Sequence, residues 1–314
     1  MFYHDGSMAT MKERRARACV AAITCLIVAA AVTRMPASAA GAGQAAAGSM
    51  AGKTVLITGS TDGLGREVAL RVADLGAHVI VHGRNRQRGA AVVDEITKAG
   101  GGRARFYAAD LASLDEVREL ARAILRDYPR IDVLVNNAGV WNQGDRQVSR
   151  DGHELHFAVN YLSGFLLTRM VLPRVVDAAP SRVINVASSA QSPIDFTDVM
   201  LERPGRAAQG YGQSKLAQIL FTIDLAGELK DAGVTVVALH PATMMNTTMV
   251  QRAGLRPRAT VGQGAGAVMR LITAPGIETG QYFNGLNPAR ANAQAYDADA
   301  RTRLRELSMQ LTAR

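Results

Sequence analysis

From Lys53 onward, short runs rich in β-branched residues alternate with longer segments whose apolar residues recur at helical spacing. That alternation restricts the fold more than any other feature. Each strand is followed by a crossover of helical length, so neighbouring strands run parallel and helices cover both faces of the sheet. Strands are predicted over 54–58, 78–82, 105–108, 133–135, 182–186, 235–239 and 281–284. Between the first two, Leu64, Val68, Val72 and Leu75 form one apolar stripe of a helix. Further helices are predicted over 86–99, 114–128, 153–176, 211–232 and 262–273. After Gly52 there is no internal repeat and no linker rich in Gly, Ser or Pro, and Gly100-Gly101-Gly102 reads as a loop. The expectation is one α/β domain over residues 50–314, a doubly wound parallel sheet of about seven strands.

The first forty-nine residues read differently. A basic stretch at 12–17 precedes an uncharged apolar run at 18–33 and then Pro36-Ala37-Ser38-Ala39-Ala40, the layout of a signal peptide. The apolar run is shorter than the roughly 20 residues a membrane helix needs. Met50-Ala51-Gly52-Lys53 directly precedes the first strand and reads equally well as the start of translation, which would make 1–49 an extension upstream of the protein. A start near Met50 implies a cytoplasmic protein, whereas residues 12–40 imply export or membrane association.

Composition narrows the function. The net charge of +9 includes Lys12, Arg14, Arg15, Arg17 and Arg34 of the first fifty residues, and the remaining arginines are scattered without a basic stripe or interleaved aromatics. Nucleic acid is therefore not an expected partner. Both cysteines, Cys19 and Cys25, fall in the N-terminal stretch, which leaves the rest of the chain without a disulfide or thiol nucleophile. The six histidines form no ligand cluster beyond His153 and His156, which read as a helix face; no metal site is expected.

Immediately after the first strand, Thr58-Gly59-Ser60-Thr61-Asp62-Gly63-Leu64-Gly65 opens the first helix. A glycine-rich turn placed there lets the backbone approach a pyrophosphate, whose charge meets helix N-terminal N–H groups and the helix dipole. A plain turn is the alternative, and position between strand and helix argues against it. The placement makes this a Rossmann-type dinucleotide site. Its second strand ends His82-Gly83-Arg84-Asn85-Arg86, with no carboxylate to hold ribose hydroxyls. Arg84 offers a guanidinium to a 2'-phosphate, so NADP(H) is expected over NAD(H), unless Arg84 is only a surface charge.

Tyr211-Gly212-Gln213-Ser214-Lys215 places a phenol and an ammonium one helical turn apart. A nearby cation favours the phenolate and brings the phenol toward working pH as an acid or base. The pair alone also fits an ordinary helix surface. Its company is Val183-Ile184-Asn185-Val186-Ala187-Ser188, a buried strand ending in a hydroxyl where ligands of parallel sheets gather, with Asn136-Asn137-Ala138-Gly139 after the fourth strand and Asn160 inside an apolar helical pattern.

Together these motifs resemble the short-chain dehydrogenase/reductase family from about residue 53 to 284, and the strings around Asn160 and Tyr211 are similar to its retinol-dehydrogenase-like branch. The resemblance implies an oxidoreductase that interconverts a carbonyl and an alcohol. It implies a tetrad in which Tyr211 is the acid/base, Ser188 orients the substrate, Lys215 shifts the tyrosine pKa and binds ribose, and Asn160 supports a proton-relay water. It also implies adenine contacts by Asp110 and Leu111, backing of the cofactor by Asn137, Ala138 and Gly139, and Pro241 and Thr243 beside the nicotinamide. Ala242 departs from the glycine usual after that proline, and Asn246-Thr247-Thr248 blurs which hydroxyl meets the carboxamide.

Phe196, Val199, Met200 and Leu201, then Met244, Met245, Met249 and Leu255, read as apolar lids for a small hydrophobic substrate, or as packing against a neighbouring helix or subunit. The family usually forms homo-oligomers through the helices that include Tyr211. The competing function is a non-catalytic NADP(H)-binding sensor or scaffold, whose mark would be a missing tetrad member; all four are present.

Overall fold

The computed structural model describes residues 49–313. Its first strand, β1 (Thr54–Ile57), is buried at every position, as a central parallel strand must be. The chain continues through α1 (Gly63–Asp74), β2 (His78–Gly83), α2 (Arg86–Ala99), β3 (Arg103–Ala108), α3 (Leu114–Asp127) and β4 (Val133–Asn136). A π-helical turn, Phe157–Leu162, leads into α4 (Ser163–Val176). Then follow β5 (Ser181–Val186), α5 (Gly210–Glu228), β6 (Val234–His240), α6 (Thr248–Arg252), α7 (Val261–Thr273), β7 (Tyr282–Asn284), β8 (Asn287–Ala289) and α8 (Ala298–Leu311).

The eight strands lie in the order β3-β2-β1-β4-β5-β6-β7-β8. All pairs are parallel except β7 with β8. Strand order reverses between β1 and β4, which opens a crevice at their C-terminal ends. One apolar layer packs α1, α2 and α7 on the sheet through Val68, Val92, Ile96, Val268 and Leu271. The other packs α3, α4, α5 and α8 through Val117, Leu120, Leu166, Leu216, Leu220 and Leu304. Leu64, Val68 and Val72 of the predicted stripe are buried in the first layer.

Several boundaries differ from the sequence reading. The helix expected over 153–176 starts later, because Glu154 bridges to Val148 in an extended pair and His153 sits in the bend before it. His153 and His156 therefore do not share a helix face. The antiparallel strand β8 was hidden by Pro288, which reads as a turn. The helix α8 carries its apolar residues, Ala300, Leu304, Leu307 and Leu311, thinly among charges. It packs against α5, with Arg305 Nη1 on Asp224 Oδ1 at 2.5 Å, and reaches the π-helical turn, where Ser308 Oγ meets Tyr161 Oη at 2.6 Å.

Residues 1–48, with the signal-like stretch and both cysteines, lie outside the described residues. Among the described residues no helix is long and apolar enough to cross a membrane.

Candidate active site

The crevice at the strand reversal is a cleft of about 850 Å³ lined from the ends of β1, β2, β4, β5 and β6. At its floor the β1–α1 turn is held from below. Gly59 N donates to His82 Nδ1 at 3.1 Å, and the Asn137 amide donates to the carbonyls of Thr58 at 2.8 Å and Gly59 at 3.1 Å. Gly63, Leu64 and Gly65 begin α1 and line the cleft, so the positive end of that helix faces it. A Cβ on Gly65 would stand 2.4 Å from Asn137 Nδ2 and 2.4 Å from the Gly59 carbonyl oxygen. The helix start closes this tightly on the turn only because Gly65 lacks that atom, which leaves a backbone cradle fitted to a pyrophosphate.

Thr61, Asp62, Arg84, Asp110 and Leu111 line the same end. Arg84 Nη1 lies 3.7 Å from Asp110 Oδ1, and Arg88 Nη1 lies 3.2 Å from Asp62 Oδ2. Both guanidiniums are largely exposed, so two cations flank the rim. Arg88 was not anticipated, although it lies one turn beyond Arg84 at the start of α2. Ser60 is displaced from the expected set. It is fully buried, its hydroxyl donating to Ile57 O at 2.8 Å and accepting from His82 N at 3.0 Å, and it does not line the cleft.

At the other end Ser188, Tyr211 and Lys215 converge. Lys215 is 4% exposed and donates to Val186 O at 2.8 Å and to Gln218 Oε1 at 3.0 Å. An ammonium has three donors, so one N–H remains for the cleft. Its Nζ lies 5.8 Å from the Tyr211 ring centroid. Burial lowers the Lys215 pKa to about 7. Burial also raises the Tyr211 phenol, partly offset by a hydrogen bond with Ser188. The expected depression of the phenol is thus reversed in the protein alone, because desolvation outweighs a lysine that itself resists its charge.

The Asn160 side chain does not reach the cleft either. It is 2% exposed, accepts from Val140 N at 2.7 Å, and donates to Val140 O at 3.1 Å and Ser214 Oγ at 2.9 Å. It stands behind Gly139, where a Cβ would come within 3.3 Å of Asn160 Oδ1 and 3.5 Å of Lys215 Nζ. Asn137, Ala138, Gly139, Pro241 and Thr243 line the cleft as expected, and the Thr243 hydroxyl shares a 2.9 Å hydrogen bond with His240 Nε2. Of the apolar lids, Met244, Met245 and Met249 face the cleft, joined by Trp141 and Val250. Val199 and Leu201 are buried in the core, and Phe196 and Met200 pack against it. Phe196, Val199, Met200 and Leu201 do not line the cleft, because their segment folds inward, tied by Arg146 Nε to Met200 O at 2.6 Å and Gln213 Nε2 to Val199 O at 2.8 Å, and Leu255, beyond α6, does not line it either.

A phosphate-sized cradle at one end of a cleft and a phenol beside a lysine at the other, spanning the reversal point of a parallel sheet, define an NAD(P)-dependent oxidoreductase of CH–OH groups. The chain belongs to the short chain dehydrogenase family, whose model matches residues 53–257. It is 36% identical to retinol dehydrogenase 13 of Mus musculus over 276 residues, covering 81% of this chain and 81% of the relative. An uncharacterized protein from Mycobacterium paratuberculosis has a similar crystal structure, at TM-score 0.70 and 29% identity, over 84% of this chain and 94% of that one. The RhlG/NADP active-site complex of Pseudomonas aeruginosa matches at TM-score 0.61 and 27% identity, over 76% of this chain and 96% of that one.

Proposed function

We propose that residues 50–314 form an enzyme that interconverts an apolar carbonyl and its alcohol, prefers NADP(H) to NAD(H), and uses Tyr211 as the acid/base. One observation carries this reading. Tyr211 shares one cleft with Ser188, with the buried Lys215 and with the glycine turn.

When bound, the nicotinamide supplies or accepts the hydride. The protein does the rest. Ser188 Oγ holds the substrate oxygen by a hydrogen bond, and Tyr211 Oη gives that oxygen a proton in reduction and takes it back in oxidation. Lys215, once protonated at Nζ, favours the phenolate and lends its remaining N–H to the ribose. Asn160 holds Val140, and through it Gly139, close to Lys215. Arg84 and Arg88 supply the positive rim that a 2'-phosphate favours, and the NADP complex of the P. aeruginosa relative is consistent with that preference. Trp141, Met244, Met249 and Val250 supply an apolar wall, in keeping with the retinol dehydrogenase relatives.

Met50 is buried in the core and its N–H donates to Leu75 O at 2.9 Å, which supports a working domain that begins at about residue 50. The deciding experiment follows NADPH absorbance with a panel of apolar aldehydes and ketones and of small sugars. Turnover of the apolar panel is expected. Turnover confined to sugars, or none with any carbonyl, would overturn the proposal.

A further inference from the structure

Beside the cleft, but not lining it, lies a buried acid–base pair that the tetrad does not use. Glu154 is 2% exposed, and a carboxylate so deeply buried is stable only when donors surround it. It has them: Glu154 Oε2 accepts from Phe157 N at 2.7 Å, and Oε1 accepts from His156 N at 3.1 Å. These bonds cap the helix that carries Asn160. Capping requires Glu154 alone, yet His156 is buried with it, its Nδ1 2.7 Å from Glu154 Oε1.

The far side of the imidazole explains its presence. Asn142 N donates to His156 Nε2 at 3.0 Å. A backbone N–H only donates, so Nε2 must offer its lone pair and the ring proton must sit on Nδ1, facing Glu154. The carboxylate therefore fixes the tautomer that lets His156 hold the 140–142 segment. The same helix holds that segment a second time, through the two bonds of Asn160 to Val140. Trp141 lies between the two ties. Its ring stacks on Tyr211 at 5.6 Å between centroids, tilted by 38°, and it lines the cleft. His156 meets the same Tyr211 ring edge-on at 6.2 Å and 86°. The first residue of α5 crosses directly over the pair: a Cβ on Gly210 would lie 2.8 Å from both Glu154 Oε1 and His156 Nδ1. Any other residue at 210 would push apart the pair and the helix that carries Tyr211.

We propose that Glu154 and His156 are a positioning pair that fixes Trp141 against Tyr211 as the wall on which an apolar carbonyl substrate rests. The proposal builds on the reading that a carbonyl binds beside Tyr211. The pair does not touch the reacting atoms; it acts through Trp141 and sets how tightly substrate is held.

Trp141 is the single tryptophan of the chain, so intrinsic fluorescence reports on this segment alone. In His156→Phe, which keeps a ring against Tyr211 but loses both hydrogen bonds, Trp141 emission should move to the red and acrylamide quenching should increase. The KM for an apolar aldehyde should rise about tenfold, with kcat changed less than about threefold, since a lost tie of this kind weakens binding rather than proton transfer. His156→Gln, whose amide can accept from Asn142 and donate to Glu154, should restore emission and KM together. Unchanged emission and KM in His156→Phe, or no recovery in His156→Gln, overturns the proposal. If His156→Phe does not fold, Glu154→Gln keeps an acceptor for the helix cap but no longer fixes the tautomer. A red shift is then expected, and unaltered emission counts against the pair. Failure of the wild-type protein to turn over any carbonyl would sink the site reading instead, while the emission comparison still reads the pair.

Discussion

Lys215 donates to the carbonyl oxygen of Val186 at 2.8 Å, at the end of the strand that leads directly into Ser188. A buried ammonium tied to a backbone carbonyl and to Gln218, with no carboxylate beside it, loses its proton easily, and burial brings its pKa to about 7.

The first prediction concerns that proton. An anion brought into the cleft favours the ammonium and raises the Lys215 pKa back toward the ordinary lysine value. At pH 8 free Lys215 is mostly neutral, and NADP(H) binding should draw a proton from solvent. Calorimetry in buffers of different ionisation enthalpy measures the uptake. It should shrink below pH 7, where Lys215 already carries its proton, and vanish in Lys215→Met. Uptake that persists in Lys215→Met would assign the proton to another group.

Tyr211→Phe removes a transferable proton and leaves the ring between Trp141 and His156. Turnover should fall by roughly 10²- to 10⁴-fold, the usual contribution of a positioned acid or base. NADPH affinity, measured by energy transfer from Trp141, should stay within about twofold of wild type. Substantial residual turnover would mean that another group moves the proton.

The sheet, the glycine turn and the tyrosine–lysine spacing were legible because each rests on local rules: buried parallel strands are uniformly apolar, and residues four apart share a helix face. What was not legible depends on which way a side chain turns once the chain is packed. Ser60 sits inside a glycine turn that otherwise lines the cleft, yet its hydroxyl faces inward to Ile57 and His82. Val199 and Leu201 carry the same apolar signature as Met244 and Met249, but the first pair fills the core and the second faces the cleft. Trp141 had a signal that went unused: a lone large aromatic two residues beyond Gly139. Gln218 had another, one residue short of a full turn after Lys215. The Glu154–His156 pair had none, since its partner Asn142 reaches it only through tertiary packing.

Arg84 and Arg88 yield a prediction on cofactor choice. Both project from the rim beside Gly83, each near one carboxylate, Asp110 and Asp62. Arg84→Ala should reduce the preference for NADPH over NADH, as kcat/KM, by about 10- to 100-fold, the scale of a charge-assisted hydrogen bond to phosphate. The loss should lie in NADPH and leave NADH nearly unchanged. Equal losses with both would make Arg84 a general electrostatic or structural residue.

The last prediction concerns α8, which packs on α5, the helix through which related proteins were expected to associate. Leu304 is 1% exposed in the core shared with Leu216 and Leu220, and Ser308 Oγ shares a 2.6 Å hydrogen bond with the buried Tyr161 hydroxyl. Leu304→Ala should lower unfolding free energy by about 2–5 kcal/mol, the cost of emptying a filled site. Ser308→Ala should lower it by about 1–3 kcal/mol, because it removes the partner of a phenol that stays buried. Urea unfolding measures both. Any homo-oligomer must then form outside the part of α5 that α8 covers. Deleting residues 298–314 should bare an apolar face and drive new association, visible by light scattering as a mass increase absent from the full chain. A full chain that loses its oligomer on that deletion would show that α8 itself forms the interface.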